Sequence, residues 1–192
     1  DKMGRELTVE FGRINQDNIE QLRKVNLACF PVQYQEKYYK DVSETKSDGL
    51  CKFAYWNGFV VGAACSRIEP LNAKKSIEDD ENNNSKENGG DSTPDEKGGE
   101  KRIYIMTLGV LAAYRGRTIG AQLIQSILDH YESQKSSPEL KDVTEIALHV
   151  QISNDDALKF YIEKFGFEKG EMVENYYKRI DPPHCYKLFK KL

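Results

Sequence analysis

The 192-residue chain predicts a mixed α/β domain, and three features of the sequence carry that prediction. First, two β-rich runs, CKFAYW and FVVGAACSRIE, flank Asn57-Gly58, the strongest short hairpin signal. Second, Arg102–Val110 is rich in β-branched and aromatic residues. It leads through an Arg- and Gly-bearing loop into one apolar helical stripe of Ile119, Leu123, Ile124, Ile127, Leu128 and Tyr131. Third, a strand over Val143–Val150 is followed by the capped helical pattern SNDDALKFYIEKFGF.

The remaining elements fall into place around these. Leu7–Phe11 alternates as a first strand, and Asp17 or Asn18 can cap a helix through Ile19, Leu22, Val25 and Cys29 that Pro31 stops. QEKYYKDV reads as a short second helix. Gly166 is placed to end the last helix in left-handed geometry. FEKGEMVENYY and CYKLFKKL close the chain as strands, and no internal repeat is visible.

Hydrophobic residues make up 39% of the chain and charged residues 31%, enough to bury a core. No apolar run has membrane-spanning length and no leader pattern is present, so the expectation is a cytoplasmic protein with no membrane partner. Asp1 and Lys2 precede Met3 and read as remnants of a cleavage. MGRELT matches a myristoylation pattern, against which ELTVEF alternates as a strand. Cys29, Cys51, Cys65 and Cys185 are widely spaced, as are His130, His149 and His184. Reduced thiols and no metal site are expected.

Asn72–Glu100 stands apart. It holds nine acidic and four basic residues, with Ile77 its one large apolar side chain, and is expected to be a disordered acidic loop. The formal charge of −3 therefore belongs to the insert, and about +2 remains for a single domain spanning residues 3–192. Basic residues of that body (Lys178, Arg179, Lys187, Lys190, Lys191) can meet a partner or form a solvated face.

The loop Arg115-Gly116-Arg117-Thr118-Ile119-Gly120-Ala121 sits between a strand and a helix start, where unpaired N–H groups and the helix dipole favour an anion. It is neither a Walker loop nor a dinucleotide fingerprint. LGVLAAYRGRTIGAQLI resembles motif A of the GNAT acetyltransferases, R/Q-x-x-G-x-G/A, whose loop holds the pyrophosphate of acetyl-CoA. HVQISNDDALKFYIEKFGF resembles motif B of the same family. FPVQY, YIMTLG and NYYKRI are similar to the NatE-type N-alpha-acetyltransferases.

The resemblance implies a GNAT fold: a mixed, mostly antiparallel sheet flanked by helices, with splayed central strands holding acetyl-CoA. It implies an acetyl-CoA-dependent N-alpha-acetyltransferase acting on nascent protein N-termini, Met followed by an apolar residue. It implies the NatA complex (auxiliary scaffold and catalytic subunit) and the ribosome as partners, with no direct DNA binding and no metal.

By the same resemblance Tyr104 and His149 are catalytic through a base-assisting water. Leu108, Val110, Arg115, Gly116, Arg117, Thr118, Ile119, Gly120, Ala121, Asn154 and Tyr161 bind the cofactor. Phe30, Pro31, Val32, Tyr34, Met106, Tyr176, Tyr177 and Ile180 line the peptide pocket. Taken singly, each of these has a plain reading as well: His149 a hydrogen-bonded core histidine, Asn154 an N-cap, the aromatics core or hairpin residues.

The chemistry is consistent with weak base assistance. An α-amine has a pKa of ~7.7–8.0, so roughly a tenth is neutral near pH 7. A lysine amine would cost about 3–4 kcal/mol more to deprotonate.

Two positions depart from the family pattern: Thr118 stands where the signature has glycine, and Ala113 where proline is usual. A left-handed backbone at 118 would make threonine costly, whereas a first helical turn would make it cheap. The expectation is the helical turn. Two alternatives stand beside the N-terminal acetyltransferase: an Nε-lysine acetyltransferase, and a catalytically weakened GNAT scaffold subunit.

Overall fold

Asn57 and Gly58 adopt φ of 49° and 79°, the paired positive values of a type I′ turn, and so join β2 (Cys51–Trp56) to β3 (Phe59–Pro70). In this computed structural model, residues 7–45, 49–72 and 99–192 are described. The acidic insert falls almost wholly outside them, as does most of the myristoylation-like stretch.

The hairpin is part of a seven-stranded sheet of order β1-β2-β3-β4-β5-β7-β6. The other strands are β1 (Glu10–Arg13), β4 (Lys101–Val110), β5 (Val143–Gln151), β6 (Glu168–Val173) and β7 (Cys185–Lys191). All neighbours are antiparallel except β4 and β5. Strand β3 ends and β4 begins as partners, Pro70 with Lys101, and Leu71 N–H donates to the Glu100 carbonyl at 2.9 Å beyond them.

Helices cover both faces. Helix α1 (Ile19–Cys29) and α2 (Glu36–Glu44) lie on one, with Leu22, Val25, Tyr38 and Val42 against Phe53, Ala63 and Cys65 of the sheet. Helix α3 (Ile119–Gln134) lies on the other, its stripe of Ile119, Leu123, Ile124 and Ile127 packed on Val61, Ala64, Ile103 and Ile146. Period-2 alternation puts Ile146, Leu148 and Val150 of β5 in the α3 core and leaves Glu145, Ala147 and His149 on the α1–α2 face.

Three local expectations are corrected. The first strand starts at Glu10 rather than Leu7. The Leu7 carbonyl and Val9 N–H take the side-chain amide of Gln122 on α3 as partner (2.6 and 3.3 Å), where a strand would take a neighbouring backbone.

The entry to α1 is not capped by its own N-cap residue: Asn18 is spent on Asn15 N–H and the Arg13 carbonyl. The helix after Asn154 is regular only over α4 (Asp155–Lys159) and then widens into a π turn, Phe160–Lys164. That turn closes on Gly166 at φ 68°, as the sequence indicated.

Cys51, Cys65 and Cys185 are buried free thiols, and Cys29 is partly exposed. Among the described residues no helix is long and apolar enough to cross a membrane. Leu123 is fully buried in the α3 core. Leu123→Ala is expected to cost about 2–5 kcal/mol, read from chemical denaturation.

Candidate active site

The parallel pairing of β4 with β5 runs from Lys101–Val143 only to Tyr104–Ala147. Beyond Tyr104 the two strands part, while β4 keeps pairing with β3 up to Val110. Leu111 N–H donates to the Val61 carbonyl of β3, so alternation turns the N–H groups of Leu108 and Val110 to the open side. The Val110 carbonyl opens the same way, since it accepts from Arg115 Nε at 3.0 Å.

Two cavities occupy this gap. The first, about 300 Å³, is lined by Phe30, Pro31, Val32 and Tyr34 after α1, by Tyr104, Met106 and Leu108 of β4, and by His149 of β5. Asn154 and Tyr161 close one side, and Tyr176, Tyr177 and Ile180 another. The second, about 380 Å³, is lined by Val110, Arg115, Gly116, Thr118, Ile119, Gly120 and Ala121. Every expected site residue except Arg117 lines one or the other; the Arg117 carbonyl instead accepts from Leu7 N–H at 3.5 Å.

Close approach makes the first cavity narrow. A side chain at Gly109 would meet Cys29 Cβ and Sγ at 3.1 and 3.2 Å and the Phe30 ring at 3.3 Å. Glycine there lets the end of α1 and the aromatic segment after it settle on β4. The opposing loop, residues 174–184, is fastened by Gln151 Nε2 donating to the Pro182 carbonyl (2.8 Å) and Tyr177 N–H to the Pro183 carbonyl (2.9 Å).

At the floor, the Tyr104 hydroxyl lies 2.8 Å from His149 Nδ1 and 3.1 Å from the Tyr176 hydroxyl. The Tyr176 ring stacks on the imidazole, with centroids 4.5 Å apart and planes at 30°. With Nδ1 as acceptor, Tyr104 donates to the imidazole and accepts from Tyr176, and the imidazole proton sits on Nε2. Such a chain can take up a proton at His149 and spread the change over two phenols.

The second cavity has the character of an anion cradle. It lies at the N-terminus of a sixteen-residue helix, and Gly116 takes φ 72°. Thr118 also stands in left-handed geometry, at φ 65° and ψ 0°, which overturns the expectation of a helical turn there. Position 118 of this chain is thus a left-handed site, and a β-branched residue costs about 1–2 kcal/mol to place in it.

The family follows from comparison of this chain with known proteins. Residues 19–167 match the acetyltransferase (GNAT) family. This chain is a GNAT protein. N-alpha-acetyltransferase 50 of Danio rerio is 40% identical over 186 residues, covering 96% of this chain and 89% of that protein. A probable N-acetyltransferase, san, of Drosophila melanogaster is 37% identical over 96% of this chain and 82% of its own. Naa50 of Arabidopsis thaliana, solved with the bisubstrate analogue CoA-Ac-MVNAL, superposes with a TM-score of 0.73. It shares 36% identity over 97% of this chain and 100% of that one.

Within this GNAT site several residues were missed by sequence reasoning. Thr107, Gln151 and Lys178 also line the first cavity, and Tyr114, Phe160 and Lys164 the second. The consecutive Phe160 and Tyr161, at the start of the π turn, line different cavities. Asn154 keeps its plain role as well, its Oδ1 accepting from Ala157 N–H at 3.2 Å. Burial holds the Tyr161 phenol well above its ordinary range, so it stays protonated. Burial also raises the Cys29 thiol, against the opposing influence of Arg115.

Below Tyr104 the same sheet face carries interlocked charges. Arg102 bonds Glu69 at 2.6 Å, and Glu145 accepts from Lys187 (2.9 Å) and Lys191 (3.0 Å). The Arg67 and Arg102 guanidiniums lie 5.3 and 5.9 Å from the Tyr104 ring centre. Burial pushes the Glu145 carboxyl up, but the two lysine bonds outweigh it and hold the group below its ordinary 4.5.

A depressed carboxylate stabilises the fold above its unfolded value, and that contribution disappears as pH falls through the folded one. Glu145→Gln is therefore expected to melt below wild type at pH 6. The difference should shrink steadily toward pH 3, read from thermal midpoints.

Proposed function

We propose that the chain transfers acetyl from acetyl-CoA to the α-amine of protein N-termini, with methionine first and an apolar residue second. The observation that carries this reading is the Tyr104–His149–Tyr176 chain at the floor of a narrow aromatic cavity beside a phosphate-type cradle. A relative solved with an analogue whose peptide begins Met-Val supports the peptide preference.

The residues present fit acetyl-CoA. The backbone of Gly116–Ala121 and the Thr118 hydroxyl would hold its anionic end, with Asn154 and Tyr161 along its pantetheine arm. When bound, acetyl-CoA supplies an acetyl group activated as a thioester. The N–H groups of Leu108 and Val110, on the open edge of β4, would be the donors able to stabilise negative charge developing on its carbonyl.

Tyr104, passing its own proton to His149 Nδ1, would take up through a water the proton that the α-ammonium must lose. Tyr161, kept protonated by burial, would supply a hydroxyl donor for the thiolate that leaves. Phe30, Pro31, Val32, Tyr34, Met106, Tyr176, Tyr177 and Ile180 enclose the first side chain, and fully burying a methionine there contributes about 1.5–3 kcal/mol. Nascent chains on cytoplasmic ribosomes are the substrate this implies, with the NatA complex as carrier.

His149→Ala and Tyr104→Phe are each expected to lower kcat, by up to ~10²–10⁴-fold. In a peptide screen, free N-terminal Met-Leu or Met-Val should turn over and an internal lysine should not. Equal rates on both would instead identify a lysine acetyltransferase, and absence of acetyl-CoA binding a scaffold.

A further inference from the structure

Thr118 occupies a conformation that glycine adopts without help, and its surroundings show what holds it. Its Oγ1 accepts from Gln122 Nε2 at 3.0 Å, and its carbonyl accepts from Gln122 N–H at 2.9 Å. The same Nε2 donates to the Leu7 carbonyl at 2.6 Å, while Gln122 Oε1 accepts from Val9 N–H at 3.3 Å. Leu7 N–H in turn reaches the Arg117 carbonyl. One side-chain amide therefore bonds the left-handed residue of the cradle on one side and two backbone groups of the N-terminal segment on the other.

A strained residue persists only where its neighbours over-determine it. Here two bonds from Gln122 reach Thr118, one from its side-chain amide and one from its backbone N–H, and the two bonds to Leu7 and Val9 use the other positions of the amide and fix its orientation.

We propose that Gln122 is a positioning residue for the cradle: it holds Thr118 left-handed and ties the grip on CoA to the docking of Leu7–Val9. This rests on the reading that the loop from Arg115 to Ala121 binds the phosphates of CoA. In that arrangement the threonine and the glutamine form a coupled pair, each needing the other where a glycine would need neither.

The test is a double-substitution cycle with CoA itself as the probe. Calorimetric affinity for CoA is measured on wild type, Gln122→Ala, Thr118→Gly and the double variant, with thermal melting of each protein alone. Gln122→Ala is expected to weaken CoA about tenfold in the Thr118 background and to change it little in the Thr118→Gly background. The KM for acetyl-CoA should rise with kcat nearly unchanged.

Gln122→Lys, which keeps a donor, should recover part of the loss and serves if the alanine variant folds poorly. An equal loss in both backgrounds, or none in either, overturns the coupling. Failure of the wild type to bind CoA would instead overturn the reading of the loop.

Discussion

The structure depends on a strand pairing that stops early. Parallel strands pair through evenly spaced, slanted bonds, and the ladder of β4 and β5 ends after Tyr104 meets Ala147. The backbone groups left beyond it give β4 an edge in the middle of a sheet. Buried unpaired N–H groups are costly. Here they face cavities, not packed side chains, and at the same gap His149 comes within hydrogen-bond reach of Tyr104 and the cradle opens at the start of α3.

What the sequence made legible was what local chemistry decides. Asn57-Gly58 gave the hairpin because few other residue pairs tolerate two positive φ values. The alternation of Ile146, Leu148 and Val150 placed His149 on the opposite face without any reference to its role. The site residues came from resemblance to a family, since singly each aromatic among them looks like core.

What was not legible depended on partners far away in sequence. Thr118 was expected to be helical because threonine disfavours φ > 0. The latch that offsets this cost joins residues more than a hundred positions apart, Val9 and Gln122. Nothing local in the sequence marks Glu145, and only the register of β7 brings Lys187 and Lys191 onto it. The π turn at Phe160 left no signal, for its apolar spacing reads as a continuous helix.

The bond from Leu71 to Glu100 has a consequence of another kind. It clamps the two ends of a long sequence insert next to each other, at the end of the β3–β4 ladder opposite to the gap. Once such ends are held, each doubling of the enclosed length costs only about 0.6 kcal/mol. The length of sequence enclosed there can thus vary with little effect on the stability of the ladder that carries it.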